Sequence, residues 1–104
     1  PLGAHGLAWN GPWIPLGPGT YRVTFLVDVL SAGSSITLDS VYNAGNTTLA
    51  EKLVTFPAVG PSNASLDITL SGIVPQTEFR GTVGAGQSAN LDFEGVEISQ
   101  ISAP

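Results

Sequence analysis

The stretch Thr20-Tyr21-Arg22-Val23-Thr24-Phe25-Leu26-Val27-Asp28-Val29-Leu30 decides the fold class. Tyr21, Val23, Phe25, Val27 and Val29 fall at every second position and so share one face of an extended strand. Arg22, Thr24 and Asp28 share the other face with Leu26 and Leu30. The β-branched and aromatic residues that dominate this run suit a pleated, half-buried surface.

The same period recurs outward from it. Ser35 to Asn43 sets Ile36, Leu38, Ser40 and Tyr42 against Thr37, Asp39 and Val41, and the turn residues Asn43-Ala44-Gly45-Asn46 follow. Thr47 to Phe56 reads two ways. Thr47-Thr48-Leu49-Ala50-Glu51-Lys52-Leu53 has a cap and an acidic third position suited to a short helix. Val54-Thr55-Phe56 extends it as a strand that Pro57 stops, and the strand is the expectation. Further on, Leu66, Ile68 and Leu70 alternate with Asp67, Thr69 and Ser71, and Phe79, Gly81 and Val83 alternate with Glu78, Arg80 and Thr82. Gly84 to Ser88 is flexible by composition. In Asn90 to Ile101 the apolar parity changes from odd (Leu91, Phe93) to even (Val96, Ile98). A bulge at Gly95 restores both pairs to one face. Pro12, Pro15 and Pro18 give the segment from Leu7 to Leu16 the character of an edge or an irregular strand.

These runs predict an all-β protein: an antiparallel β-sandwich, jelly-roll-like, of about seven to eight strands. The expected core is Tyr21, Val23, Phe25, Val27, Leu66, Ile68, Leu70, Phe79, Leu91, Phe93, Val96 and Ile98. At 104 residues and 42% hydrophobic the chain suits a single domain spanning 1–104. Its start without Met suggests a module or fragment of a longer protein.

Three basic and eight acidic residues give a net charge of −5. Arg22, Lys52 and Arg80 cannot form the basic stripe that phosphate neutralisation requires, so nucleic acid is not an expected partner. No apolar run is long enough to suggest membrane insertion. Cys is absent and His5 is the single His, which leaves no ligand set for zinc, and His5, near a Gly-rich terminus, reads as a surface residue rather than the base of a nucleophilic triad. Asp92 and Glu94, at i and i+2 on a strand, sit roughly 7 Å apart on one face. Such a pair usually marks a solvated surface, and no enzymatic activity is expected. No cofactor is expected beyond a structural calcium ion, for which Asp39, Asp92 and Glu94 are the available carboxylates.

Aromatics beside turns are the remaining chemistry. Trp9, Trp13 and Tyr42 lie in or beside turn-rich segments, and Pro12 and Pro15 hold the Trp13 loop with little entropy left to lose. A flat ring can stack on the C–H side of a sugar while Asn43, Arg80, Gln87 and Asn90 reach hydroxyls. Arg80 has a second reading, a pair with Glu78 or Asp39 on an exposed sheet face.

Trp9-Asn10-Gly11-Pro12-Trp13-Ile14-Pro15-Leu16-Gly17-Pro18-Gly19-Thr20-Tyr21-Arg22-Val23-Thr24-Phe25, with the closing strand Leu91-Asp92-Phe93-Glu94-Gly95-Val96-Glu97-Ile98, resembles bacterial β-sandwich domains similar to carbohydrate-binding modules. Domains of that kind occur beside glycosyltransferases and in phage-like surface spikes. The resemblance implies a jelly-roll sandwich and a non-catalytic carbohydrate-binding role toward a polysaccharide or cell-surface glycan, with an extracellular or surface-exposed location. The alternative is a structural module of a fibre, spike or capsid-like particle, whose faces pack against copies of itself or against domains of its parent protein.

Overall fold

The computed structural model describes residues 6–9, 13–42, 47–84 and 88–103. Its eight strands are β1 (Gly6–Trp9), β2 (Trp13–Leu16), β3 (Gly19–Val29), β4 (Ser34–Tyr42), β5 (Thr47–Phe56), β6 (Gly60–Leu70), β7 (Val74–Val83) and β8 (Leu91–Ser102). They form two antiparallel sheets: a five-stranded one in which β1 and β2 flank β7, followed by β4 and β5, and a three-stranded one in the order β6-β3-β8. The expected all-β sandwich is the observed architecture, and the segment from Thr47 is a strand.

β1 and β2 are two pieces of one interrupted edge. β1 pairs with Gly81–Val83 of β7 and β2 with the stretch from Glu78 back to Val74. Pro15 falls where the β2 register shifts, a place where a missing N–H removes no ladder bond.

The alternating faces decide which side of each strand packs inward. In β3, Tyr21, Val23, Phe25, Val27 and Val29 are buried, while Arg22 is exposed and Thr24, Leu26 and Asp28 are half-buried. Leu66, Ile68 and Leu70 of β6 join them from the same sheet, and Ile36, Leu38, Phe56, Phe79 and Val83 from the other. Tyr21 tolerates burial because its hydroxyl donates to the Gly17 carbonyl at 2.8 Å.

The core expectation needs one correction. Phe93, Val96 and Ile98 pack against the core but are only half-buried. They sit on β8, which has β3 on one side and, among the described residues, no strand on the other. The parity change in this strand is resolved as expected: the pairing steps from Val27↔Phe93 to Leu26↔Gly95, and Gly95 takes φ +148°. An L side chain rarely adopts that backbone. Gly19 also takes a positive φ, +142°, and in addition a Cβ there would run into the Gln100 side chain and lie 3.0 Å from the Ser102 carbonyl oxygen.

Candidate functional site

β7 lies inside the five-stranded sheet, so its side chains alternate between the core and the sheet's outer face. Thr77, Phe79, Gly81 and Val83 are buried on the inner side; Glu78, Arg80 and Thr82 belong to the outer side. β4 runs alongside in a register that places Asp39 directly opposite Arg80. The guanidinium forks onto that carboxylate, with Nε donating to Oδ1 at 3.0 Å and Nη2 to Oδ2 at 2.8 Å. Bidentate geometry of this kind fixes a planar group in place. The Arg80 side chain keeps 25% of its exposure while that of Asp39 keeps 6%. The pair therefore sits in the sheet surface rather than above it, which corrects the expectation of an exposed face.

Two more carboxylates surround this pair. Glu78 precedes Arg80 by two residues on the same face and is itself buried, and Glu51 of β5 lies opposite Asp39. The hydrogen bond to Asp39, joined by the charges of Asp39, Glu78 and Glu51, holds the Arg80 pKa above the usual guanidinium value, with partial burial acting against it. Arg80 is thus a permanent cation, immobilised, with Nη1 outside the Asp39 fork. Glu78 was legible beside Arg80 from the alternation. Glu51 was not, because its place depends on the β4–β5 register.

Both tryptophans lie along the same strand. Trp13 pairs through its backbone with Glu78, which shares the outer face with Arg80, whereas Trp9 pairs with Gly81, an inner-side position, so the register brings Trp13 and not Trp9 beside Arg80. The other sequence candidates lie elsewhere. Tyr42, at the end of β4, lines a depression at one end of the sandwich with Leu49, Leu70 and Val74. Asn90 is at the opposite end, where it ties β8 to the β3–β4 turn. Its carbonyl accepts from the Leu30 and Ser31 amides at 2.8 and 3.1 Å, its amide N–H donates to Ser34 Oγ at 3.0 Å, and its side chain reaches Ser31 Oγ at 2.9 Å. These contacts make Asn90 a corner fastener rather than a neighbour of Arg80. Asn43 and Gln87 lie outside the described residues.

The three carboxylates considered for calcium do not come together. Asp39 is bound to Arg80 in the five-stranded sheet, whereas Asp92 and Glu94 belong to β8 in the other. Among the described residues no group of three or more His, Cys, Asp or Glu side chains is arranged to hold a metal ion. No described helix is long and apolar enough to cross a membrane.

No family model matches the chain, and no curated protein does either. Solved structures do. The chain is similar to the C-terminal CBM6 carbohydrate-binding module of LamC, a marine laminarinase from Zobellia galactanivorans, at 19% identity and TM-score 0.59, covering 88% of this chain and 70% of that one. It is similar to a CBM4 module at 18% identity and TM-score 0.63, covering 94% of this chain and 77% of that one. It also aligns with an arabinose-bound GH51 α-L-arabinofuranosidase at 17% identity and TM-score 0.56, over 80% of this chain and only 15% of the enzyme. The two antiparallel sheets, their eight strands and these alignments establish the fold as a β-sandwich of the carbohydrate-binding-module type.

Proposed function

We propose that the domain is a non-catalytic carbohydrate-binding module whose site lies on the outer face of the five-stranded sheet, around Arg80. The observation that carries this reading is the fixed Arg80–Asp39 fork on that face, with Trp13 of the edge strand β2 in register opposite Glu78, two residues from Arg80 on the same face. Hydroxyl groups of a sugar are met by hydrogen-bonding groups that are already ordered, so little conformational entropy is lost on binding. The indole ring of Trp13 provides flat apolar surface for the C–H face of the same sugar. Similarity of fold to CBM6 and CBM4 modules supports the reading. With three carboxylates around one guanidinium, the face favours uncharged glycans over polyanions.

Affinity electrophoresis through a panel of neutral polysaccharides tests the proposal, with Trp13→Ala run beside the unaltered protein. The expected result is retardation of the unaltered protein by at least one polysaccharide, lost in Trp13→Ala at an unchanged melting temperature. Absence of retardation by every glycan, or retardation that Trp13→Ala leaves intact, overturns it. Binding is expected to change little between low and physiological salt, because few counterions are released.

A further inference from the structure

We propose that the outer face of the five-stranded sheet selects glycans built of amino sugars with a free amine, and that the carboxylates of Glu51 and Glu78 hold the ammonium group. This inference rests on the carbohydrate reading and names the class of sugar. Arg80 and Asp39 satisfy one another through two hydrogen bonds, so their charges cancel where they meet. Two further carboxylates flank this neutral pair on the same face. Glu51 of β5 is opposite Asp39, two strand spacings or about 10 Å from the Arg80 backbone, and Glu78 is two residues or about 7 Å along β7.

Glu78 is the decisive residue. It is only 7% exposed, yet no hydrogen bond or ion pair within the described residues engages its carboxylate. Its cross-strand neighbour on β4, Val41, is apolar and fully buried. An ionised carboxylate only accepts hydrogen bonds, and holding one out of water without a donor is costly. The three basic residues of the chain are engaged elsewhere: Arg22 by Asp67, Lys52 by the Ser65 carbonyl, and Arg80 by Asp39. The donor that suits Glu78 therefore comes with the ligand.

An amine meets this demand better than a hydroxyl. A sugar hydroxyl brings one donor, whereas an ammonium brings three and a positive charge, and its hydrogen bonds to a carboxylate are roughly twice as strong as those between neutral groups. Attraction at the buried Glu78 is little screened by salt, and the exposed Glu51 adds a weaker pull from the far side of Asp39. Both acids bear on Arg80 electrostatically, so they are near enough to act on a ligand set over the fork. Trp13 lies in register opposite Glu78, and an amine held there sets its own ring beside the residue proposed to stack. N-acetylation removes the charge and two of the three donors.

The test is calorimetric titration with oligomers of glucosamine and N-acetylated oligomers of the same length, at a pH that keeps the amine protonated. The free-amine oligomer is expected to bind the unaltered domain roughly tenfold tighter than the N-acetylated one. That ratio should fall about threefold in Glu51→Gln and disappear in Glu78→Gln. Glu97→Gln removes the same charge from an exposed position on the other sheet and should leave the ratio as it is. Glu51→Gln, also an exposed change, keeps the comparison decisive if Glu78→Gln fails to fold. Equal binding of the two oligomers, a ratio that Glu97→Gln lowers as much as Glu51→Gln, or equal affinity for an oligolysine of the same charge overturns the inference. So does failure of both oligomers to bind a domain that another neutral polysaccharide retards, a result that leaves the carbohydrate reading standing. Absence of binding to every glycan overturns both.

Discussion

Arg80–Asp39 and Arg22–Asp67 are the same contact in two settings. Each joins residues directly opposite on neighbouring antiparallel strands, and each is a two-bond fork, at 3.0 and 2.8 Å in one and 3.0 and 3.1 Å in the other. They differ in surroundings. The Arg80 and Asp39 side chains keep 25% and 6% of their exposure, whereas those of Arg22 and Asp67 keep 53% and 49%. In water an ion pair replaces good solvation with a comparable attraction and gains little. In the sheet surface the charges have already lost much of their water, so each depends on the other. Geometry alone does not rank the two pairs; solvent access does.

Removal of single groups should separate them. Phe25→Ala, which empties a fully buried position between the sheets, sets the scale at about 3–5 kcal/mol by denaturant unfolding. Arg80→Ala should fall at or just below that range, at about 3 kcal/mol, because it leaves the buried Asp39 side chain without its partner. A loss under about 1 kcal/mol would mean that the buried pair behaves like a surface one. Replacing both Asp39 and Arg80 by Leu should recover most of the loss and return the domain to within roughly 1–2 kcal/mol of its original stability. Arg22→Ala should lower the melting temperature the least of these variants.

The smallest effect is in the pH dependence. The hydrogen bond from Arg22 lowers the Asp67 pKa from its ordinary value; desolvation opposes it, and the charges of Arg22 and Lys52 add to the lowering. A carboxylate lowered in the folded state contributes stability above its unfolded pKa, near 3.9, and that contribution disappears as pH falls through the folded value. Melting curves between about pH 5 and pH 2 should show a slight acid-side loss that Arg22→Ala abolishes. Persistence of the same loss in that variant would assign it to another carboxylate.

What the sequence disclosed follows from how many neighbours each strand has. β3 lies between β6 and β8, so its two faces are sharply distinguished and its alternation could be read directly. The Gly95 bulge was visible because a parity change needs an extra residue and only Gly accepts the backbone it requires. The strand at Thr47 was ambiguous locally and became a strand through its pairing with β4. Burial of Phe93, Val96 and Ile98 was overestimated because period two gives orientation and not coverage. The candidate site was legible in parts. The Arg80–Asp39 partnership and the β7 face could be anticipated, but their burial depended on neighbouring strands. The separation of Asp39 from Asp92 and Glu94, and of Tyr42 from Asn90, depended on strand order, about which alternating patterns carry no information.

The strand order also has a kinetic consequence. Among the described pairings only β4 with β5 joins strands that follow one another in the chain. The three-stranded sheet contains no hairpin: its central strand meets partners that begin at Gly60 and Leu91, and Thr20 pairs with Ser102 near the opposite end of the sequence. The chain must therefore close long loops before most of its ladders return any free energy. Assembly of this kind belongs to the slow range for small domains, milliseconds to seconds. During that interval β8, which follows the other described strands in the chain, has no partner, and β3 waits with an apolar face uncovered. Its acidic residues and its glycine bulge then serve a purpose separate from the finished fold, because they discourage the waiting strand from pairing with another copy of itself.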